Sequence, residues 1–306
     1  MANIVVVGSL NMDLIAVAER LPLPGETIPG AQFLKAAGGK GANQAYAAAL
    51  LGGRVAMIGR VGDDEHGRQL VAGLAAAGCD VSGVRTVDTV TGVAVILVAD
   101  SGENSIVVVP GANGRFHESD FQRDEPALVG ARLALLQLEI PLATVTAAAR
   151  SARRGGATVI LDPAPAPAAL PLELLQHVDI LTPNESEAVR LTGGAQADLS
   201  QDDARAIASR LLGDGSLTVI IKLGARGCLV ARGDERTFIS APRVDAIDTT
   251  AAGDVFNGAL AVACSEGAGL IEASRFAVRA ASLSVTRRGA QPSAPTRAEL
   301  SAFARD

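Results

Sequence analysis

The chain reads Asp248-Thr249-Thr250-Ala251-Ala252-Gly253-Asp254 immediately before an apolar helical pattern that starts at Val255. The small residues at 251–253 let a ligand approach the backbone closely, and the free N–H groups of a helix that begins here would attract an anion. The helix dipole also favours the ionised form of Asp254. A carboxylate beside an anion site suits phosphoryl transfer to an alcohol, in which the carboxylate accepts the hydroxyl proton. The alternative is that Asp254 is an ordinary helix N-cap.

The bulk composition indicates one large globular domain with an appendage. Of the 306 residues, 48% are hydrophobic and 20% are charged, which is ample material for a core. The net charge is −6, and Lys and Arg are scattered rather than clustered, so the electrostatic signature of a nucleic-acid-binding protein is missing. We therefore expect a single domain over residues 1–306 that binds a small molecule.

Cysteine usage and the amino-terminal sequence indicate a cytoplasmic protein. Cys79, Cys228 and Cys264 are far apart in sequence and the histidines show no metal-ligand spacing, so we expect reduced thiols and no structural zinc. The chain starts with a strand-like apolar run rather than a basic leader, and no apolar run reaches membrane-spanning length.

Short apolar runs alternate with helical patterns along most of the chain, which predicts an α/β protein. The first run, Ile4–Val7, has the continuous apolar character of a strand buried on both faces of a parallel sheet. Three segments interrupt the alternation at about 14–18, 32–36 and 93–109, and the last reads as a hairpin with a Gly-containing loop. We expect these segments to form a small sheet outside the main layers, as part of a lid.

Polar residues beside strands and glycine turns are the candidate sugar contacts. Asn11 and Asp13 are two apart, so in extended backbone they point the same way and match adjacent sugar hydroxyls, although both residue types also favour turns. The run at 38–44, Gly-Gly-Lys-Gly-Ala-Asn-Gln, fails both the Walker and the dinucleotide patterns. It either lets a ligand touch the backbone, with Lys40 and Asn43 bonding hydroxyls, or is a flexible turn that caps a helix.

Two further acidic positions allow a functional and a structural interpretation. Glu139 ends a strand predicted over 133–138, and ligands bind at the carboxyl ends of strands in open α/β sheets, but an exposed loop Glu is the alternative. Asn184 and Glu187 are three apart on one helical face, where they could hold a hydrated Mg²⁺ near phosphates. A capping box explains the same spacing.

Five stretches together resemble the phosphofructokinase-B superfamily of sugar and nucleoside kinases, and within it the ribokinases. They are residues 8–13 (Gly-Ser-Leu-Asn-Met-Asp), 38–45 (Gly-Gly-Lys-Gly-Ala-Asn-Gln-Ala), 182–185 (Thr-Pro-Asn-Glu), 248–254 and 285–293 (Val-Thr-Arg-Arg-Gly-Ala-Gln-Pro-Ser). Each is weak or moderate alone, but in this order they are highly specific and extend over nearly the whole chain. The resemblance implies a three-layer α/β/α Rossmann-like domain with a small β-sheet lid, and ATP-dependent phosphorylation of the 5-hydroxyl of D-ribose.

The resemblance also implies roles for individual residues of this chain. The catalytic base matches Asp254, and the anion hole matches Ala251, Ala252 and Gly253. The ribose contacts match Asn11, Asp13, Gly39, Lys40, Asn43 and Glu139. The Mg²⁺ and phosphate element matches Asn184 and Glu187, and the ATP-binding segment matches Lys222, Gly224 and Val278. Ribokinases often carry Thr where Lys222 stands, and commonly Asn or His where Val278 stands. A K⁺ site matches the side chains of Asp248 and Ser293 and the backbone oxygens of Thr250, Ser284, Arg287 and Gly289.

The hairpin predicts how the chain assembles. One face of its first strand carries Val93, Val95 and Leu97, and the other carries Ala94, Ile96 and Val98, so both faces are apolar. One face can cover the sugar, while the other would be an apolar patch in water that a partner's lid would bury. We therefore expect a homodimer joined through the lid, as the resemblance also implies.

Two other functions are compatible with these residues. One is a kinase for another acceptor, such as 2-deoxyribose or a nucleoside. Asn11 and Asp13 favour vicinal hydroxyls instead, and 3% aromatic residues offer no obvious stacking platform for a base. The other is a sugar sensor that kept the pocket and lost the chemistry, against which the intact Asp254 argues.

Overall fold

The computed structural model describes residues 3–194, 198–213 and 217–303. The predicted 1–306 domain is therefore described from Asn3 to Phe303, and its first two and last three residues lie outside the described residues. The strands, in chain order, are β1 (Ile4–Val7), β2 (Asn11–Ala18), β3 (Gln32–Gly38), β4 (Val55–Gly62), β5 (Asp80–Val87), β6 (Gly92–Ala99), β7 (Asn104–Val109), β8 (Leu133–Leu136), β9 (Thr158–Leu161), β10 (Ile180–Leu181), β11 (Thr218–Lys222), β12 (Cys228–Arg232) and β13 (Glu235–Ile239). The α-helices are α1 (Lys40–Leu50), α2 (Glu65–Ala76), α3 (Glu118–Phe121), α4 (Leu142–Arg154), α5 (Leu172–Leu175), α6 (Glu185–Leu191), α7 (Gln201–Leu212), α8 (Ala252–Ser265), α9 (Leu270–Ser284) and α10 (Arg297–Phe303).

The large sheet places its strands in the order β13-β12-β11-β10-β9-β8-β1-β4-β5. The strands from β11 to β5 in that order pair in parallel, and β12 and β13 are added antiparallel at one edge. Side chains of β1 alternate between two buried clusters, with Ile4 and Val6 in one and Val5 and Val7 in the other. The continuous apolar run of β1 is explained by this burial on both faces.

Helices cover both faces of the large sheet. α1, α2, α8, α9 and α10 bury side chains in the cluster that contains Ile4 and Val6, whereas α3 to α7 bury side chains in the cluster that contains Val5 and Val7. The predicted three-layer α/β/α arrangement is confirmed. None of the helices in the described ranges is long and apolar enough to cross a membrane. The cytoplasmic location stays a prediction.

The small sheet has the strand order β3-β2-β6-β7. β2 pairs antiparallel with β3 and parallel with β6, so the three interrupting segments join in one sheet. The β2–β3 ladder extends to the pair Asn11 and Gly38, and both strands are therefore longer than the expected 14–18 and 32–36. Residues 8–10 therefore join β1 of the large sheet to β2 of the small sheet.

Several predicted boundaries were wrong by a few residues. β4 continues to Gly62, because its ladder with β5 extends that far. β8 ends at Leu136 rather than 138, because the N–H of Leu138 leaves the ladder and donates to the carbonyl of Ala164. The short helices α3 and α5 were not predicted, since four residues are too few for a helical period to be read from sequence.

Candidate active site

The candidate site lies where the parallel strands end and two helices begin. Ser9 follows β1, Glu139 follows β8, Asp162 follows β9, and Lys222 is the last residue of β11. The carboxyl ends of these parallel strands lie on the same side of the large sheet, and ligands bind on that side in open α/β proteins. α1 and α8 start beside them, and each presents an amino terminus.

The turn before α8 has an unusual backbone. Its N-cap is Ala251, with left-handed dihedral angles (φ 57°, ψ 13°) and no capping hydrogen bond from its side chain. A non-glycine residue in this region is uncommon and strained, and such strain often marks a ligand site. The Ala252 N–H donates to the Thr249 carbonyl at 3.2 Å, whereas the N–H groups of Gly253 and Asp254 have no backbone acceptor among the described residues and lie beside the positive end of the helix dipole. Asp254 is the third residue of the helix, so the interpretation of Asp254 as an ordinary N-cap is wrong.

Asp254 is held by two amides from α1. Asn43 Nδ2 donates to its Oδ2 and Gln44 Nε2 donates to its Oδ1, each at 3.0 Å. Only 5% of the residue is exposed. Burial raises the pKa of Asp254 to about 6, against the opposing charge of Lys40. The carboxyl is thus fixed in place and is a stronger base than an ordinary aspartate.

A second buried carboxylate, Asp162, joins this group. Gln44 Nε2 also donates to Asp162 Oδ2 at 2.9 Å, and Lys222 Nζ donates to Asp162 Oδ1 at 3.0 Å. The Lys222 ammonium lies against the start of α8, because a Cβ atom added to Gly253 would be 3.3 Å from Nζ. Lys222 therefore places a positive charge next to the free N–H groups of α8.

Asn11 and Asp13 lie in β2, so the interpretation of these residues as a turn is wrong. Asn113 Nδ2 donates to Asn11 Oδ1 at 2.7 Å and to the Leu10 carbonyl at 3.0 Å. This bond occupies the oxygen of Asn11 and leaves its NH₂ group as the free end. Burial raises the pKa of Asp13 to about 6, and the charges of Glu139 and Asp254 add to the shift.

Two glycines, Gly38 and Gly39, line the site where β3 ends and α1 begins. Gly39 is the N-cap of α1 with φ 88°, and a Cβ atom on it would be 2.7 Å from the backbone nitrogen of Asn11. A Cβ atom on Gly38 would be 2.4 Å from the carboxylate of Asp13. A Cβ atom at either position would therefore collide with its neighbours, and Gly39 caps α1 as the structural alternative predicted.

Glu139 and Lys40 meet at the start of α1. Glu139 Oε2 accepts hydrogen bonds from Ser9 Oγ at 2.6 Å and from the Lys40 N–H at 3.0 Å, so Glu139 is partly buried rather than an exposed loop residue. Burial alone would lower the pKa of the Lys40 ammonium. The surrounding carboxylates, led by Asp254 and Asp162, outweigh burial and raise it. Lys40 thus carries a firmly held positive charge inside the site.

Asn184 and Glu187 form the predicted capping box of α6. Asn184 Oδ1 accepts from the Glu187 N–H at 2.8 Å, and Glu187 Oε2 accepts from the Asn184 N–H at 2.7 Å. Burial raises the pKa of Glu187, and the charge of Lys222 opposes that shift. The structural interpretation is confirmed, and the Glu187 carboxylate still lies in the electrostatic field of Lys222 and Asp162.

Comparison with known proteins identifies the family. A model of the pfkB family of carbohydrate kinases matches residues 1–297. The chain belongs to this family. A ribokinase of Haemophilus influenzae is 44% identical over 302 residues, which cover 98% of each chain. A deoxyribokinase of Salmonella typhi is 37% identical over 295 residues, which cover 96% of each. The structure of Arabidopsis thaliana ribokinase complexed with ribose and ATP superimposes with a TM-score of 0.92 and 38% identity, covering 99% of this chain and 98% of that one. The predicted resemblance is confirmed.

The candidate K⁺ site of this pfkB-family kinase brings together two segments, residues 248–250 and 284–293. Asp248 Oδ1 accepts from the Thr250 N–H at 2.9 Å, and Oδ2 accepts from the Gly289 N–H at 2.8 Å. Burial would raise the pKa of Asp248, but these hydrogen bonds outweigh burial and lower it. Ser284 and Ser293 are buried, and the Arg287 N–H donates to the Ser284 carbonyl at 3.0 Å. Within the described ranges, no three His, Cys, Asp or Glu side chains are grouped to hold a metal ion.

The two remaining candidates, Gly224 and Val278, are residues that the family resemblance assigns to ATP binding. Gly224 has φ 55° and begins a 3₁₀ turn directly after β11, with open space where a Cβ atom would be. Val278 is buried in α9, within the cluster that contains Ile4. The structure fixes these positions in the fold, and their contacts with ATP remain predictions.

Four buried or partly buried residues of the site were not predicted: Ser9, Gln44, Asn113 and Asp162. Asp162 could have been predicted, because it follows an apolar strand-like run, as Glu139 does, and ligands bind at such strand ends. No local signal marks Asn113, which lies in a 3₁₀ turn and bonds Asn11 across 102 residues of sequence.

Proposed function

We propose that this pfkB-family kinase transfers the γ-phosphoryl group of ATP to the 5-hydroxyl of D-ribose, with Asp254 as the general base. The observation that carries this proposal is the buried Asp254 carboxylate, held by Asn43 and Gln44 in the first turn of a helix whose Gly253 and Asp254 N–H groups have no backbone acceptor in the described part of the chain. The ribokinase relatives, and the solved ribokinase complexed with ribose and ATP, support the same acceptor and donor.

On the acceptor side, Asp254 takes the proton of the attacking hydroxyl. A pKa of about 6 leaves the carboxylate ionised at neutral pH and close enough to that pH to be an effective base. Asn11 presents its NH₂ group and Asp13 its carboxylate from the same face of β2, which suits two adjacent hydroxyls of the sugar. The acceptor is thereby oriented toward the turn before α8.

On the donor side, the site supplies positive charge where the phosphoryl group would pass. The free N–H groups of α8, the Lys40 ammonium and the Lys222 ammonium converge near Gly253 and Asp254. Fixed donors of this kind stabilise charge that develops in a transition state. Gly224 and Val278 are the proposed ATP contacts.

A Mg²⁺ ion would neutralise phosphate charge when bound. The Glu187 carboxylate and the Asn184 side chain supply oxygen ligands of the kind this ion prefers. Because Glu187 Oε2 already accepts the Asn184 N–H at 2.7 Å, we propose that phosphates and water provide most of the coordination. Glu187 would then orient the bound water.

The proposal is tested by a coupled ADP-release assay across D-ribose, 2-deoxyribose, hexoses and adenosine. We expect ribose to give the highest kcat/KM, and phosphorus NMR to locate the product phosphate on the 5-oxygen. Loss of the 2-hydroxyl would leave a polar group of the site unpaired, so 2-deoxyribose should be poorer by roughly 10-fold to 100-fold. The deoxyribokinase relative makes 2-deoxyribose the second candidate. A preference for that sugar would overturn the ribose assignment, and no ADP release with any acceptor would leave the sensor interpretation.

A K⁺ ion is the proposed activator at the 248–250 and 284–293 segments. Its ligands would be the Asp248 and Ser293 side chains and the backbone oxygens of Thr250, Ser284, Arg287 and Gly289. Since residues 248–250 lead directly into Ala251, an ion bound there would stiffen the turn before α8. We expect turnover to rise when a bulky organic cation is replaced by K⁺ at constant ionic strength, and an unchanged turnover would remove this site.

A homodimer through the small sheet is the proposed assembly. The strand pairing places Ile96 on the same face as Asp13, whereas Val95 shares the opposite face with Met12 and Leu14. Both faces expose apolar side chains at the outer end: Val95 and Val107 on one, Ile106 and Val108 on the other. A small sheet with two apolar faces in water favours association.

Sedimentation at micromolar concentration tests this assembly. We expect the wild type to sediment as a dimer, and either Val95→Glu or Ile96→Glu to give monomers with weakened activity, because a buried charge opposes the interface. Leu172→Glu is the matched control, since Leu172 is 82% exposed in α5, outside the small sheet. A monomeric wild type, or dimers from both lid variants, would contradict the interface.

A further inference from the structure

A chain of buried polar side chains connects the proposed base to the Lys222 ammonium. Gln137 Nε2 donates to Gln44 Oε1 at 2.7 Å, and Gln44 Nε2 donates to both Asp254 and Asp162. Asp162 then accepts from Lys222 at 3.0 Å. Gln44 and Gln137 are fully buried and Asp162 is 2% exposed. Removing such polar groups from water costs free energy of folding, so we look for a role of this arrangement in function rather than in stability.

The hydrogen-bonding capacity of the groups fixes the orientation of Gln44. Carboxylate oxygens accept hydrogen bonds, so the NH₂ group of Gln44 faces Asp254 and Asp162, with one hydrogen to each. Its oxygen then faces Gln137, which must donate. Both hydrogens of the Gln44 amide are in use, and the two carboxylates are held at a set separation by a neutral group.

We propose that Gln44 and Asp162 are positioning residues for the phosphoryl transfer. Gln44 holds the Asp254 carboxylate, and Asp162 holds the Lys222 ammonium against the first turn of α8. The Asp254 carboxylate on the acceptor side and the Lys222 ammonium on the donor side are thereby kept at a fixed distance from each other. This inference rests on the proposed kinase function and adds two residues to it.

The contacts of Lys222 show why its ammonium needs a fixed hydrogen-bond partner. A lysine side chain is flexible, and its ammonium is a point charge without the fixed geometry of a guanidinium group. The side chain of Lys222 is 12% exposed and runs alongside Gly253, with Asp162 as its ion-pair partner. Without the Asp162 carboxylate, the ammonium would lose the interaction that keeps it beside the free N–H groups of α8.

The test uses two substitutions with opposite expected effects on the acid limb of the kcat–pH profile. Asp162→Asn removes a negative charge that raises the pKa of Asp254, so the limb should move to lower pH. Gln44→Glu adds a carboxylate beside Asp254 and should move the limb to higher pH, in each case by about one unit. At its optimum pH, each variant should lose kcat by roughly 10-fold to 100-fold while the KM for ribose stays within about twofold. The opposite shifts show that both side chains act on Asp254, and a loss of kcat at nearly constant KM is the result that a purely structural role would not give.

A double substitution tests whether Asp162 acts through Lys222. Lys222→Met should lower kcat, and adding Asp162→Asn to it should cause little further loss at the optimum pH, because the partner is already gone. Lys222→Arg keeps the charge and should retain more activity than Lys222→Met. If Gln44→Glu fails to fold, Gln44→Met is the substitute: it removes a hydrogen bond that lowers the pKa of Asp254, so its limb should also move upward.

A titration without substrate separates this proposal from the proposed function. Carbon-13 NMR of labelled aspartate carboxyls, with Asp254 assigned by its loss in Asp254→Asn, should show the same opposite shifts. If these shifts occur in a protein that does not phosphorylate ribose, the kinase function fails and the positioning network stands. If ribose is phosphorylated but both limbs stay in place or move together, or the double substitution is additive, the positioning proposal is overturned.

Discussion

Asp254→Asn should lower kcat by roughly two to four orders of magnitude, the scale expected when a general base is lost. The amide has nearly the same shape as the carboxylate but cannot accept the proton of the attacking hydroxyl. Asn11 and Asp13 are untouched, so the KM for ribose should change only severalfold. Steady-state kinetics with the coupled ADP-release assay measure both quantities. Asp234→Asn, at an exposed carboxylate in the β12–β13 turn, is the matched control and should behave as wild type.

The same variant has a signature in stability. The pKa of Asp254 is about 6 in the folded protein, above its ordinary value of 3.8. A raised acid pKa stabilises the folded state at pH values below 3.8, and this contribution is lost as the pH rises through about 6. The melting temperature of Asp254→Asn, relative to wild type, should therefore increase between pH 4 and pH 7. Near-wild-type turnover in a folded Asp254→Asn protein would end the assignment of the base.

Lys40→Met should lower kcat by roughly two to three orders of magnitude, the loss seen when one fixed electrostatic contact to a transition state is removed. The Lys40 ammonium interacts with Asp254, Asp162, Glu139 and Glu187, so its removal leaves carboxylates without their compensating charge. That excess negative charge repels phosphate. It also raises the pKa of Asp254, which should move the acid limb of the kcat–pH profile upward.

Lys35→Met is the matched control, because Lys35 lies exposed in β3 and its loss changes the net charge equally. It should keep wild-type kcat and an unchanged acid limb. If Lys40→Met and Lys35→Met lose activity to the same small extent, the ammonium of Lys40 has no role in the transfer and acts only through the net charge.

Structural features that depend on near neighbours could be predicted from the sequence. The strand Ile4–Val7 was predicted with its observed ends, because an uninterrupted apolar run reports burial on both faces. The capping box at Asn184 and Glu187 was also predicted as an alternative, since its bonds join residues three positions apart. The order of the signature stretches gave the family, which the comparisons confirm.

The surroundings of Asp254 could be predicted from the sequence only in part. Small residues and a following helix predicted an anion-binding turn, and the helix does begin there. The left-handed Ala251 was not predicted, because alanine has no preference for that region and only the surrounding fold holds it there. The partners Asn43 and Gln44 come from α1, more than two hundred residues away in sequence.

The sequence by itself determined the α/β alternation, the local caps, the family and the residue types available for phosphoryl transfer. The tertiary structure alone decided which of those side chains meet. The parallel pairing of β2 with β6 and the hydrogen bond between Gln44 and Asp162, 118 residues apart, both follow from sheet order. Local patterns record the preferences of neighbouring residues, whereas sheet order is set by packing of the whole core, and the site forms only where separate strand ends are brought to one edge.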